Sequence, residues 1–283
     1  MAKNPSPNGA TVLAKLDVEL LFSTEVLKLR SLHYGYWNPE DALTMANLRE
    51  AQGRYTDTLL QLIPDTVKTI LDVGAGIGDN ALALASRGHR VTAISPENDH
   101  PRFYREMNND GVRFHNVRFE DLELPDKFDL ILMSESHNYF YADAAFAQCR
   151  RYTLPGGYLL VSGIFGRAST KRLWDILYAK DEYVALARKN GFRLVKNVDI
   201  TDRVLPTLEL TQKGYRDYVL PTLGLLAQYM KASAPWKWRL ARLLCHKQFR
   251  DLETLHRYYE ERMDPVRFQQ QATYERLLFS FPG

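Results

Sequence analysis

Between residues 69 and 163 the chain alternates short apolar runs with stretches in which apolar positions recur every three or four residues. The runs 69–73, 90–94, 112–117, 128–133 and 158–163 have the length and apolar content of buried strands. The segment from Ala81 through Ala85 to Gly88 has helical spacing, and so does 181–189, which precedes a strand-like run at 192–195. Alternation of this kind predicts βαβ units, and therefore an α/β fold built on a doubly wound, mostly parallel sheet. Ahead of it, helical spacing at 13–32 and 45–62 brackets a glycine- and proline-punctuated aromatic loop at 33–39. Behind it, a helical, aromatic and basic stretch begins after Pro206 and runs to about Met263, and a final strand is expected within 272–281. The chain divides accordingly into an N-terminal helical segment (1–64), a sheet core (65–204), an inserted helical cap (205–265) and a C-terminal strand completing the sheet (266–283).

Composition narrows the class. The 283 residues are 45% hydrophobic and 25% charged, an ordinary balance for a folded globular chain. A net charge of +3 is too small to point to nucleic acid by itself. The two cysteines, Cys149 and Cys245, form neither a disulfide framework nor a metal-ligand cluster, which favours a reducing, cytoplasmic setting and no metal. The opening ten residues are polar with two prolines, unlike a signal peptide, and are expected to be mobile. No run of 18 apolar residues occurs, which argues against a spanning helix but leaves a peripheral membrane contact open.

The chemistry concentrates at Asp72-Val73-Gly74-Ala75-Gly76-Ile77-Gly78, where the first strand meets a helix. Glycines let the backbone turn tightly and approach a ligand, and a helix N-terminus offers free N–H groups. Dinucleotide sites need G-x-G-x-x-G, but here Asp79 occupies the sixth position, where a carboxylate would repel pyrophosphate. An oxidoreductase using NAD is therefore disfavoured. The D-x-G-x-G-x-G spacing resembles that of class I, S-adenosylmethionine-dependent methyltransferases, with a Rossmann-like sheet. The likeness extends over about residues 33–205, and the run Asp199-Ile200-Thr201-Asp202-Arg203-Val204-Leu205-Pro206-Thr207 resembles tocopherol- and sarcosine-type members.

That resemblance implies roles for individual residues. Asp72, Gly74, Gly76 and Gly78 would hold the amino-acid end of S-adenosylmethionine. Ser95 stands where many members place an acid on the ribose, and Glu120 or Asp121 would accept a hydrogen bond from adenine; a solvated acidic turn is the plainer alternative. The segment His33-Tyr34-Gly35-Tyr36-Trp37 resembles one that folds over the cofactor, with Tyr34, Tyr36 and Trp37 near its carboxylate and sulfonium; cation–π attraction suits aromatics there. The loop from Ser134 would reach the transferring methyl. His137 is the candidate base, its unperturbed imidazole titrating near neutrality, although a loop histidine bonded to backbone fits as well. Glu135 would orient it, face the sulfonium, or stabilise a developing cation. Tyr139, Phe140 and Tyr141 would wall the acceptor pocket.

From Leu240 onward the apolar residues recur at helical intervals, which predicts a helix packed on the core. Six cations and no acid lie between Lys231 and Arg250, beside Trp236 and Trp238. A solvated face, an acidic headgroup or an anionic membrane surface all fit this stretch; no nucleic-acid motif accompanies it. An apolar or amphipathic small molecule is the acceptor that an aromatic cap favours: an isoprenoid, a quinone, a lipid or a natural-product intermediate. The alternatives are a cyclopropane-forming lipid synthase using the same cofactor, and a non-catalytic cofactor- or lipid-binding protein. Oligomeric state is not legible.

Overall fold

A computed structural model describes Leu20 and residues 22–107, 109–167 and 178–283. The side chains at 22, 241–242, 248–249, 251–253, 255 and 258–259 lie outside that description. The opening ten residues and most of the helix expected over 13–32 are outside it too; within it, Phe22–Val26 forms a single π-helical turn.

The parallel part of the sheet is built from β1 (Thr69–Val73), β2 (Arg90–Ile94), β3 (Val112–His115), β4 (Phe128–Ser134) and β5 (Thr153–Gly166). β6 (Arg193–Asp199) and β7 (Ala272–Phe281) complete it, β7 running antiparallel between β5 and β6. The order is β3-β2-β1-β4-β5-β7-β6. From β1 the chain winds outward in one direction to β3, then returns to place β4 on β1's other side. That reversal opens a crevice outside the carboxyl ends of β1 and β4, the position where such sheets take ligands.

Alternate side chains on each strand enter opposite layers, so a run such as Leu130-Ile131-Leu132-Met133 is buried on both faces. Ile70, Leu130, Leu132, Leu160 and Tyr274 pack on α1 (Met45–Leu60) and α2 (Asp79–Ser86). Leu71, Ile131, Met133, Val161 and Phe279 face the other way; α3 (Pro101–Met107) flanks the β3 side, and α4 (Ala142–Tyr152) and α5 (Lys180–Lys189) cover this second layer. α1 is amphipathic because Leu48, Ala51, Tyr55 and Leu59 recur on one face.

The helical cap starts earlier than its proline implied. α6 (Thr201–Gly214) begins directly after β6 and contains Pro206 within it. A π-helical turn (Tyr215–Val219) joins α6 to α7 (Leu220–Ser233), followed by α8 (Pro235–Leu244), α9 (His246–Arg262) and α10 (Pro265–Gln271). Thr201, Val204 and Leu208 anchor α6, whereas α7 buries no residue. The expectation of a core-packed helix from Leu240 onward is corrected for α8, whose Leu240, Leu243 and Leu244 are exposed; the apolar side chains at 249, 252, 255 and 258–259 lie outside the described residues.

The loop before α1 is clamped to α6. Gly35 N–H and the Trp37 indole N–H both donate to Thr207 Oγ1, at 3.0 and 2.9 Å. Trp37 is 1% exposed and packs on Leu48 and Ala51. It is thus an anchor for the loop, which corrects its expected place beside the cofactor. Trp37→Ala should lower the unfolding free energy in urea by about 3–5 kcal/mol, the cost of deleting a fully buried large aromatic.

Candidate active site

Asp72 closes β1 inside the crevice. Its side chain is 1% exposed, and Oδ2 has no hydrogen-bond partner among the described residues. Burial, reinforced by the nearby Asp79 charge, pushes its pKa up to about 8. Beyond it, Gly74, Gly76 and Gly78 all have positive φ, at 72°, 56° and 91°, a conformation that glycine adopts without strain. A Cβ on Gly74 would lie 2.4 Å from Ser136 Cβ, while one on Gly76 would meet nothing within 4 Å. Gly76 therefore borders open space. The Gly74 amide is already bonded to the Ile94 carbonyl at 3.0 Å, so this glycine contributes clearance and no free donor.

Asp79, the first residue of α2, is not a solvent-facing carboxylate. His33 Nε2 lies 2.9 Å from its Oδ2. Burial opposes ionisation of both groups, but their mutual attraction prevails, holding His33 above and Asp79 below their ordinary ranges. The imidazole also stacks on Tyr55 at 4.2 Å and sits 2.8 Å from the Tyr34 carbonyl oxygen. The aromatic loop is thereby fastened to the start of α2, with Tyr34 half-buried at the site. Tyr36 lies further out, beneath the guanidinium groups of Arg203 and Arg276, 5.6 and 5.8 Å from its ring.

Glu135 follows β4 with φ 59°, a left-handed geometry uncommon outside glycine. Its Oε1 accepts the Tyr34 N–H at 3.1 Å and the Tyr274 O–H at 2.5 Å. Tyr274 in turn meets the Tyr55 hydroxyl at 2.9 Å, and Tyr55 reaches Ser162 and Ser134 at 2.7 and 3.2 Å. Burial pushes the Glu135 carboxyl up, with His33 only partly offsetting it. Arg276 Nη2 donates to the Tyr55 carbonyl, and its guanidinium sits 4.7 Å from the Tyr55 ring. The sequence reading missed Tyr55, Tyr274 and Arg276. The available signal was the polar pattern Tyr274-Glu275-Arg276 ahead of the apolar end of a strand.

His137 moves out of the chemistry. It is 1% exposed, stacks on Phe165 at 4.5 Å and meets Tyr183 edge-on at 5.5 Å, in the layer opposite Tyr55. Burial lowers its pKa to about 3. A neutral imidazole sealed among aromatic rings neither meets an acceptor nor takes its proton near neutrality, so the base assignment is withdrawn. Ser95 is also turned inward: its hydroxyl lies 2.8 Å from His100 Nδ1 and it is 2% exposed, which corrects its expected position against a ribose. Glu120 and Asp121 sit on a short 3-10 turn (Phe119–Asp121), both paired with Arg118. Phe140 packs on Phe119 at 5.6 Å, while Tyr139 and Tyr141 are exposed on the loop. Cys149 is buried in α4.

The geometry has its counterparts. A family model described as a methyltransferase domain matches residues 70–157, from β1 to the start of β5. Residues 70–157 thus carry a methyltransferase domain. The chain is 24% identical over 239 residues to an O-methyltransferase of Pyrenophora dematioidea, covering 75% of this chain and 86% of that one. It resembles the structure of a sarcosine dimethylglycine methyltransferase from Galdieria sulphuraria (TM-score 0.69, 16% identity, 93% and 98% of the two chains). It also resembles a geranyl diphosphate C-methyltransferase from Streptomyces coelicolor, solved with Mg2+, geranyl diphosphate and S-adenosyl-L-homocysteine (TM-score 0.63, 16% identity, 98% and 99%).

The assignment of His137 to the core has a measurable sign. Its folded pKa lies below the unfolded value of 6.5, so as pH falls the unfolded chain takes up a proton that the native state refuses. Stability should drop by as much as ~1.4 kcal/mol per pH unit between 6.5 and about 3. His137→Phe should flatten that acid limb in urea titrations whatever its absolute stability. Equal slopes in the two proteins would return His137 to an exposed, titrating role.

Proposed function

We propose that this enzyme methylates an apolar or amphipathic small molecule, with S-adenosylmethionine seated over Asp72 and the glycine loop. One observation carries the cofactor placement: a buried carboxyl with an unpartnered oxygen, beside a glycine whose missing Cβ leaves open space. A buried acid of this kind costs free energy until a cation arrives, and the amino group of the cofactor is such a cation. When bound, S-adenosylmethionine supplies a methyl already activated by its sulfonium. The protein's task is then alignment and exclusion of water. Tyr34, held by Glu135, and Asp79, held by His33, fix the loop that would close over it. Glu135, rather than His137, is the titratable group that faces this side of the sheet and can orient an acceptor.

Support for the acceptor class comes from the exposed rings of Tyr139 and Tyr141 beside the site and from the apolar helices beyond α6. The geranyl diphosphate methyltransferase shares the whole architecture with an isoprenoid substrate. A screen of isoprenoid, quinone and fatty-acyl acceptors with labelled S-adenosylmethionine should find turnover there. Transfer confined to small polar amines would overturn the acceptor class.

Cofactor binding should rise with pH. In the free protein Asp72 is protonated below about 8, so a cationic ligand must first displace that proton. Calorimetry across about pH 5.5 to 7.5, where the cofactor's α-amino group is still a cation, should show S-adenosylmethionine affinity increasing with pH and a proton released on binding. Asp72→Asn should weaken binding by about tenfold or more and remove its share of this pH dependence. Binding of NAD with neither S-adenosylmethionine nor its demethylated product would defeat the cofactor assignment.

A further inference from the structure

The helices beyond Tyr215 carry an apolar surface that the sheet does not use. Leu225 and Tyr229 on α7 are 67% and 70% exposed, and Trp236, Leu243 and Leu244 on α8 are 65%, 72% and 69% exposed. On α8 the positions Trp236, Leu240, Leu243 and Leu244 are spaced i, i+4, i+7 and i+8, which makes a single stripe along the helix. At 100° per residue, Lys237 falls on one flank of that stripe and Arg239 on the other; both are exposed. The Lys237 ammonium rides 5.5 Å from the Trp236 ring centre.

The charge along α7 and α8 has one sign. From Asp217 to Asp251 the chain contains no acidic residue between these two, but it has six lysines and arginines. An isologous contact with a second copy would bring two such clusters together without counter-charge, at a cost in repulsion. A protein core contact would leave the flanking cations no partner. A surface that is apolar in depth and anionic at its rim satisfies both features: the stripe enters the acyl boundary, Trp236 lies at the headgroup level, and Lys237 and Arg239 extend to phosphates. No helix among the described residues is long and apolar enough to cross a membrane, so the contact is lateral.

We propose that α7 and α8 form a docking surface for anionic lipid bilayers, which holds the enzyme at a membrane face. The inference stands on exposure, spacing and charge, and it is independent of the reading of the cofactor site. The full chain should co-sediment with phosphatidylcholine vesicles containing about one-third phosphatidylglycerol, with a blue shift of tryptophan emission and release by salt. The double variant Lys237→Glu, Arg239→Glu should lower that partitioning by about tenfold or more. Leu243→Asp with Leu244→Asp should abolish the blue shift; both pairs are surface changes expected to leave the melting temperature and S-adenosylmethionine binding intact. Absence of sedimentation, or equal sedimentation with pure phosphatidylcholine, would overturn the proposal. A dimer in the ultracentrifuge that Leu243→Asp dissociates would overturn it as well, and would give the face to a second copy.

Discussion

Three distant parts of the chain meet at the ion pair between His33 and Asp79, and the geometry of the crevice depends on it. Neither partner is stable there alone, since each charge is taken out of water. Together they tie the loop before α1 to the first turn of α2, and the stacked Tyr55 ring extends the tie to the sheet. Asp79 thereby spends its charge on the protein, while Asp72, one turn of the loop away, keeps an unpartnered oxygen. Two aspartates seven residues apart have opposite environments and opposite pKa displacements. The difference sorts them into an acid paired within the protein and an acid whose Oδ2 has no partner among the described residues.

The sheet was legible in the sequence because short apolar runs alternating with helically spaced stretches leave few alternatives to βαβ units. β1 and β2 fall where the runs placed them. Less visible were contacts made across more than two hundred residues. Tyr274 reaches Tyr55 through the fold alone, and the polar pattern Tyr274-Glu275-Arg276 does not say that its hydroxyl will meet the carboxylate that follows β4. His137 misled for the reverse reason: it lies two residues from a site residue, yet its ring crosses to the opposite layer. Gly163 permits this, since a Cβ there would stand 2.6 Å from the imidazole.

Glu135 shows how the same loop serves both layers. Its left-handed backbone turns one side chain toward Tyr34 and Tyr274, and two residues later the chain delivers His137 among Phe165 and Tyr183. Strain of this kind, of order 1–3 kcal/mol, persists where surrounding bonds over-determine it. Here the Glu135 N–H to Ser162 O bond at 2.7 Å and the carboxylate contacts do so.

The antiparallel β7, lodged between β5 and β6, carries a consequence for the order of events during synthesis. β6 has no neighbour in the sheet except β7, and Tyr274 and Arg276 supply the site's far wall. A nascent chain that has released residues up to 262 owns every glycine of the loop and every strand of the parallel half. It still lacks the hydroxyl for Glu135 and the guanidinium for Tyr55. This side of the site is therefore assembled by a long-range, antiparallel pairing and not by the local βαβ units, so it forms only after β5 and β7 have met.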